Sequence, residues 1–212
     1  TKNKYPQLKE ILKKEILNRE EEENIAKDIK SFSNIEDSIS KKVKSQYEEN
    51  PYPRWMSVSN IQNNKDLRTG ESYTNYFDVI LNNLPVKGKP VKTKKPRLLV
   101  AGCGTGKQPI SISLADKNLN IDAFDISLAS LSYGIRMAKE LKINNINWFQ
   151  ADILDLKNIK KKYDMIECVG VLHHMDDPEK GFNELEKKLK PFGLMKIGVY
   201  AKHFRDGRLK EL

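Results

Sequence analysis

The chain has 212 residues and a formal net charge of +9, and 32% of its residues are charged while 38% are hydrophobic. This length is enough for one domain with an additional segment, and the composition is that of a globular protein. No apolar stretch is long enough to cross a bilayer, and no basic and apolar leader precedes the first predicted helix, so we expect a cytoplasmic protein without membrane-spanning segments.

The cysteines and the excess of lysine exclude few further classes of protein. Cys103 and Cys168 form neither a disulfide framework nor a zinc pattern, and we interpret both as small buried thiols. Clustered lysines would suit nucleic acid, because they gain affinity by releasing phosphate counterions. Here the lysines are scattered over predicted helices and linkers without a nucleic-acid motif, so we favour a solvated basic surface and keep nucleic acid as the less favoured partner.

Residues 1–96 are predicted to form a helical extension. Apolar residues between Leu8 and Ile29 recur at helical spacing, and the acidic run from Glu20 to Glu23 is interpreted as a solvated face of that helix. Ser33 followed by Glu36 is a capping-box pattern, which predicts the start of a second helix.

Residues 46–55, which we call the strap, combine aromatic side chains and the Arg54 cation with two prolines that end the second helix. Such a segment could close over a bound molecule or be pinned to the core by its aromatic rings, and both interpretations stay open. A helical face from Tyr73 to Leu84 is interpreted as core packing. Residues 85–96 are basic and contain prolines, which predicts a linker into a second domain at 97–212.

In the second domain, apolar strands alternate with amphipathic helices. Strands are predicted at residues 97–101, 120–124, 147–150, 163–169 and 194–200. Helices are predicted at residues 108–116, 128–141 and 178–189, the last closed by Pro191 and Gly193. The alternation predicts an α/β fold with a doubly wound, mainly parallel sheet and ligands at the carboxyl ends of the strands.

The first predicted strand runs directly into a glycine-rich loop with Gly102, Gly104 and Gly106. Such a loop brings backbone amides and a helix N-terminus close to a ligand, with no Cβ between them. Pyrophosphate-binding loops prefer the third glycine three positions after the second, whereas here it comes after two positions and Lys107 stands in that place. A nicotinamide-dinucleotide-binding oxidoreductase is therefore the less favoured alternative.

Carboxylates follow the next two predicted strands. Asp125 lies nineteen positions after Gly106, where a carboxylate can hold a ribose, although it could also cap the helix that begins near Ser127. Asp152 ends the third strand and could accept a hydrogen bond from the exocyclic amine of a base while Ile153 packs on the ring. Three successive strand ends thus present groups that suit one adenosine-like ligand.

These residues resemble the motifs of class I S-adenosylmethionine-dependent methyltransferases. Val100–Gly106 is similar to their first motif, Phe124–Ser127 to the second, Ala151–Ile153 to the third and Tyr163–His174 to the fourth. The strap together with Gly170–Met175 also resembles a bacterial subgroup of these enzymes that is sometimes fused to tetratricopeptide repeats. No such repeat is visible here.

The resemblance implies a Rossmann-like methyltransferase that uses S-adenosylmethionine and releases S-adenosylhomocysteine. The family fold adds two strands after the fifth, which this sequence lacks, so the chain is expected to be a fragment or to have an unusually short sheet. The glycines of the loop would line the methionine end, Asp125 the ribose, and Asp152 with Ile153 the adenine. The full implied set of cofactor-binding residues is Gly102, Cys103, Gly104, Gly106, Asp125, Ile126, Asp152, Ile153, Val169 and Arg54.

One departure from the family pattern concerns the methionine ammonium. An acidic residue usually stands two places before the first glycine, and Val100 occupies that place here. Glu167, a backbone carbonyl of Gly102 or Val169, or the strap around Arg54 are the candidates that could substitute for it.

His173 and His174 follow the fourth predicted strand, where an acceptor should approach the methyl group. One of them, with His173 favoured, is interpreted as a base or orienting group, because the histidine pKa lies near neutrality. The alternative is a loop histidine that shapes the pocket. Adjacent histidines without a spaced third ligand match no usual metal site, so no metal is expected.

The sequence leaves the acceptor and the oligomeric state open. The acceptor could be a small molecule, a lipid, a protein or RNA, since a fold alone does not choose among substrates. A further alternative is a non-catalytic module whose basic surface binds nucleic acid or a protein.

Overall fold

The computed structural model describes residue 12, residues 16–56 and residues 96–200 of the chain. The helices are α1 (Asn18–Asp28), α2 (Ser38–Glu49), α3 (Lys107–Ala115), α4 (Leu128–Glu140) and α5 (Pro178–Glu186). The strands are β1 (Arg97–Ala101), β2 (Asn120–Asp125), β3 (Ile146–Gln150), β4 (Tyr163–Val169) and β5 (Leu189–Gly198). The predicted helical face at 73–84, nearly all of the predicted linker at 85–96 and the start of the first predicted helix lie outside the described residues. Among the helices just named, none has the length and apolar character that a membrane span requires.

The five strands form one sheet in the order β3-β2-β1-β4-β5, and every neighbouring pair is parallel. Central strands of a parallel sheet are covered on both faces, which explains why β1 is an unbroken apolar run from Leu98 to Ala101 with almost no exposed surface. Leu99 packs with Phe124 and Ile166 on one face of the sheet, while Leu98 packs into the cluster on the other face. The predicted α/β class with a parallel sheet is confirmed.

The start of β5 corrects one boundary. Helix α5 ends at Glu186 and β5 begins at Leu189, so Pro191 and Gly193 lie inside a strand and do not close the helix as predicted. The pairing of β5 with β4 shifts in register near this start, and Phe192 has a φ of 63°. A proline is tolerated there because a bulge leaves its position out of the regular ladder.

Ser33 does not cap the second helix. The N-cap is Asp37, whose carboxylate accepts a hydrogen bond from the backbone N–H of Ser40 at 2.7 Å. The Ser33 hydroxyl donates instead to the carbonyl oxygen of Asp155 at 2.8 Å and accepts from the backbone N–H of Asp152 at 3.1 Å. The capping-box prediction was therefore wrong, and Ser33 joins the extension to the loop that follows β3.

The segment between α1 and α2 pairs with the outer edge of β3. Phe32 donates its backbone N–H to the carbonyl of Gln150, and Gln150 donates to the carbonyl of Lys30, both at 2.9 Å. The bridge between Ser31 and Gln150 is parallel. The ring of Phe32 meets Phe149 edge-on, with ring centroids 5.2 Å apart. The extension thus contains helices and also pairs with the edge strand of the sheet.

Glu22 in α1 is buried and ties the extension to α4. Its carboxylate accepts from Arg136 Nε at 2.8 Å and from one guanidinium nitrogen of Arg54 at 3.1 Å. Both guanidinium groups also lie over the ring of Tyr133. The acidic run Glu20–Glu23 is consequently not a uniformly solvated face, because the third of its four carboxylates serves as a buried counter-ion while the others are exposed.

Candidate functional site

A cavity of about 430 Å³ lies at the carboxyl ends of the first four strands. A volume of this size is typical of a small-molecule site. The structure brings together most of the predicted cofactor-binding residues in its wall, namely Gly102, Cys103, Gly104, Asp125, Ile126, Asp152, Ile153 and Val169. Gly106 and Arg54 are not among the wall residues.

Two glycines of the loop have different surroundings. Gly104 has a φ of 52°, and a Cβ built on it would point towards the carbonyl of Tyr52, 3.7 Å away across the cavity. Gly106 has a φ of 78°, and its Cβ would lie 2.6 Å from the ring of Trp148. Gly104 is therefore favoured by its backbone conformation and not by lack of space, whereas Gly106 also lets the loop pack closely on the ring of Trp148.

Asp125 is held at the end of β2 by backbone donors. Its two carboxylate oxygens accept from the N–H of Gly104 at 2.8 Å and from the N–H of Ser127 at 2.9 Å. Burial raises the pKa of Asp125 above its ordinary value, with the backbone hydrogen bonds acting in the opposite sense and the nearby Glu48 charge adding to the increase. The cap of α4 is the Ser127 side chain, which accepts from Ser130 N–H at 3.0 Å. Asp125 retains lone pairs that can accept from a ligand.

Asp152 stands in a similar position after β3. Its carboxylate accepts from the backbone N–H of Leu154 at 2.9 Å, which fixes the turn that carries Ile153. Ile153 is buried and presents an apolar side chain to the cavity. A carboxylate beside an apolar contact is the arrangement that an aminated heterocycle requires.

The strap lies over the cavity and is pinned to the glycine loop. Tyr47, Tyr52 and Pro53 line the cavity. Trp55 is buried and donates its ring N–H to the carbonyl of Thr105 at 3.0 Å, while the Thr105 hydroxyl donates to the carbonyl of Pro53 at 2.6 Å. The strap therefore lines the cavity and is fixed by an aromatic ring.

Arg54, in contrast, points away from the cavity. Its guanidinium is engaged with Glu22 and the Tyr133 ring, on the side where α1 meets α4. The predicted contribution of Arg54 to cofactor binding therefore has no support in its placement.

Glu48 in the strap caps α4 from a distant part of the sequence. Its carboxylate oxygens accept from the backbone N–H groups of Leu128 at 2.8 Å and Ala129 at 2.9 Å. The Ser127 hydroxyl also donates to the carbonyl of Tyr47 at 3.1 Å. Sequence reasoning missed Glu48, because no local pattern links residues 80 positions apart.

Ser130 was missed as well. Its side chain is fully buried, lines the cavity beside Asp125, and its hydroxyl has no hydrogen-bond partner within the part of the chain that the structure describes. A buried hydroxyl without a partner is costly, and a polar ligand in the cavity would satisfy it.

The two histidines have different positions. His174 lines the cavity, whereas His173 is not a wall residue. The ring of His173 packs between those of His174 and Tyr200, with centroids 4.2 and 4.4 Å away. His173, the histidine favoured from the sequence, is therefore the one that does not line the cavity.

Val100 and Glu167 face each other across two strands. They are in register on β1 and β4, and the Glu167 side chain is completely buried. Glu167 accepts a hydrogen bond from the side-chain amide nitrogen of Gln108, a residue of the cavity wall, and Lys196 Nζ lies 3.6 Å from its carboxylate. The acid that β1 lacks is therefore present one strand away.

The charges of the wall are mainly negative. Among the residues that the structure describes, the charged side chains of the wall are four aspartates and one lysine, namely Asp37, Asp125, Asp152, Asp176 and Lys107. The Cys103 thiol in the wall is free and neutral, because burial raises its pKa well above the ordinary value. Cys168 is also free and buried, and burial raises its pKa to about 12. The wall therefore suits a cationic ligand better than an anionic one.

Comparison with known proteins gives several relatives that match about half of the chain. Uncharacterized protein syc1184_c of a Synechococcus strain is 35% identical over 115 residues, which are 54% of this chain and 28% of that protein. A ubiquinone biosynthesis O-methyltransferase of Rickettsia akari is 31% identical over 105 residues, which are 50% of this chain and 40% of that protein. The chain spans less than half the length of these two relatives.

A solved structure described as PKMT2 from Rickettsia typhi in complex with AdoHcy has a TM-score of 0.48 and 26% identity, covering 51% of this chain and 22% of that one. The family model described as Methyltransferase domain matches residues 92–209, which is more than half of the chain. This match confirms the predicted methyltransferase domain. On that match, together with the parallel sheet and the cavity at its carboxyl edge, the chain belongs to the methyltransferase domain family.

Proposed function

We propose that this chain binds S-adenosylmethionine in the cavity and transfers its methyl group to an acceptor. The observation that carries the proposal is the meeting of three strand ends in one cavity wall: Gly104 after β1, Asp125 after β2, and Asp152 with Ile153 after β3. The matched family is one of methyltransferases, which agrees with this chemistry.

The residues of the wall fit the parts of this cofactor. Asp125 accepts from the ribose hydroxyls, and Gly104 N–H holds that carboxylate in place. Asp152 accepts from the exocyclic amine of adenine, and Ile153 packs against the ring. The Ser130 hydroxyl, which has no partner among the described residues, gains one from the ligand. The glycine loop carries the methionine end.

Charge favours this cofactor over a dinucleotide. When bound, S-adenosylmethionine supplies an electrophilic methyl group on a sulfonium that carries a positive charge. The four aspartates and one lysine among the described wall residues attract such a cation and repel the pyrophosphate of a nicotinamide dinucleotide. The position of Lys107, where a pyrophosphate loop would have its third glycine, points in the same direction.

The acceptor enters between α2 and the turn after β4. The apolar side chains Ile39 and Val43 of α2 line the cavity, as do Val171 and Met175 in the turn after β4. These walls exclude water and align the acceptor with the methyl group, which is the main requirement of this transfer. His174 takes the proton from an acceptor hydroxyl, because it lines the cavity and His173 does not.

The proposal extends to the class of acceptor and to the domains. The acceptor is a small molecule or a protein that presents an oxygen atom, which the name of the Rickettsia akari relative, an O-methyltransferase, supports. Residues 97–212 form the cofactor domain, and residues 1–96 form the extension that roofs it. The strap over the cavity supports assignment to the bacterial subgroup that is sometimes fused to tetratricopeptide repeats.

Calorimetric titration tests the proposal directly. S-Adenosylmethionine and S-adenosylhomocysteine should bind with one-to-one stoichiometry, and NADH should not bind. NADH binding in their place would favour the oxidoreductase alternative, and steeply salt-dependent binding of nucleic acid alone would favour a non-catalytic module. Mass spectrometry of a cell extract incubated with the protein and methyl-labelled cofactor would then identify the acceptor.

A further inference from the structure

Glu167 occupies a position where a carboxylate is unexpected. It lies in β4, the neighbour of the central strand β1, and its side chain is completely buried among apolar residues. A buried carboxylate is costly unless it is hydrogen-bonded and paired. Glu167 has both kinds of partner, the amide of Gln108 and the ammonium of Lys196 at 3.6 Å.

Gln108 connects this buried acid with the cavity. It lies in the first turn of α3, directly after the glycine loop, and belongs to the cavity wall while Glu167 does not. Its amide nitrogen donates to Glu167, so its amide oxygen is turned to the opposite side of the group. An amide held in this way offers an acceptor to a ligand and cannot easily reverse, because reversal would place two oxygens against each other.

We infer that Gln108, positioned by Glu167, accepts a hydrogen bond from the ammonium group at the methionine end of the cofactor. Glu167 acts through Gln108 and is a positioning residue. The pair replaces the acid that is absent at Val100, since Glu167 lies beside Val100 in register on the next strand. This inference rests on the proposed function.

The charge balance supports the same assignment. The negative charge of Glu167 polarises the amide of Gln108 and strengthens the acceptor at its far end. Lys196 is half-exposed, so water screens its charge more than that of the buried Glu167. A positive group on the cavity side of Gln108 is therefore favoured.

The test compares three ligands by calorimetry. These are S-adenosylhomocysteine, its analogue with the amino group replaced by hydrogen, and 5′-methylthioadenosine, which lacks the whole amino-acid end. In Gln108→Leu we expect the affinity for S-adenosylhomocysteine to fall about 10- to 100-fold, the usual effect of losing a hydrogen bond to a charged group. The affinities for the other two ligands should stay within about twofold of the original protein, an allowance for small losses of packing.

Glu167→Gln should give a selective loss of the same kind, because a second amide lets Gln108 turn over. The matched control is Asn183→Leu, a change of an exposed side-chain amide of α5 outside the cavity, which should alter none of the three affinities. Thermal unfolding shows which variants are folded, and Gln108→Leu alone decides the inference if Glu167→Gln does not fold.

Two results would overturn this inference and leave the proposed function intact. One is an unchanged affinity of Gln108→Leu for S-adenosylhomocysteine, and the other is an equal loss for all three ligands, which would indicate a purely structural role. Failure of the unaltered protein to bind any of the three ligands would instead overturn the proposed function, and this inference with it.

Discussion

Two buried aspartates of β2 show how the surroundings of a residue decide its role. Asp122 accepts hydrogen bonds from Tyr163, Lys161 and Asn147, and these three donors engage both of its carboxylate oxygens. Among the described residues, Asp125 accepts only from backbone N–H groups, and it lines the cavity. The first residue is bound to other protein side chains, and the second has acceptor capacity left for a ligand.

The variant Asp125→Asn should weaken binding of S-adenosylhomocysteine about 10- to 100-fold, because a hydrogen bond to a charged acceptor contributes about 1.5–3 kcal/mol. Calorimetric titration measures the change. Asp122→Asn is the matched control, and it should lower the stability of the protein while leaving the affinity unchanged. Equal losses of affinity in both variants would contradict the assignment of Asp125 to the ribose.

The raised pKa of Asp125 gives binding a pH dependence. The ionised carboxylate is the form that accepts from ribose hydroxyls, so the affinity should fall as the pH is lowered through a pKa above the ordinary value of 3.8. The stability contribution has the opposite sign, since the cost of burying the charge is present above the folded pKa and is relieved below it. Titrations over a pH series should show the fall in the original protein and no corresponding fall in Asp125→Asn.

At the scale of elements, the strap and α4 depend on each other. Glu48 provides an anion to the N-terminus of α4, where the first N–H groups have no partner within the helix. Trp55 fixes the other end of the strap to the glycine loop through Thr105. The strap is thus held at both ends and carries Tyr52 and Pro53 over the cavity between them.

Glu48→Ala should lower the free energy of unfolding by about 1–2 kcal/mol, the usual cost of losing a helix cap together with its charge. Urea unfolding measures this loss of stability. Binding of S-adenosylhomocysteine should also weaken, because the strap over the cavity is held less firmly. Its neighbour Glu49 is exposed, so Glu49→Ala should change stability by no more than about 0.5 kcal/mol. A stability of Glu48→Ala equal to that of Glu49→Ala would rule out the cap as a stabilising contact.

The elements differ in how well the sequence predicts them. Strands β1 and β4 have the predicted bounds, because each is a short, mainly apolar run whose length favours a strand over a helix. The predictions that Ser33 caps a helix and that Pro191 closes one were wrong, because in both places the tertiary structure overrides the local sequence pattern. Ser33 is drawn to the loop after β3, and Pro191 is accommodated by a bulge.

The same difference applies to the site. Gly104, Asp125 and Asp152 follow from strand ends and spacing, and the cavity contains all three. Glu48 and Ser130 could not be inferred, since their roles depend on how the extension docks and on the depth of a cavity, and neither leaves a periodic pattern in the sequence.

At the scale of the whole molecule, the extension is attached to the sheet domain through Glu22. Arg136 is almost completely buried, and Glu22 and Glu140 are its carboxylate partners among the described residues. Arg54 of the strap shares the same carboxylate of Glu22. One acid thus connects α1, the strap and α4.

Glu22→Ala should lower the free energy of unfolding by about 3 kcal/mol, because it leaves the buried Arg136 with only one counter-ion. The midpoint of urea unfolding measures this change. Glu21→Ala, an exposed change on the same helix, should stay within about 0.5 kcal/mol of the original stability. If the two variants unfold at the same urea concentration, the extension is held by apolar packing and not by this ion pair.

The pairing of residues 30–32 with β3 has a consequence for how copies of the protein meet in solution. An uncovered strand edge offers its backbone groups to another chain, which is a common first step of aggregation. The backbone N–H and carbonyl of Gln150 are both hydrogen-bonded to the extension, so neither is available to another chain. The extension therefore covers this border of the sheet. Heating that detaches α1 should cause the chains to aggregate through this edge before the sheet itself unfolds.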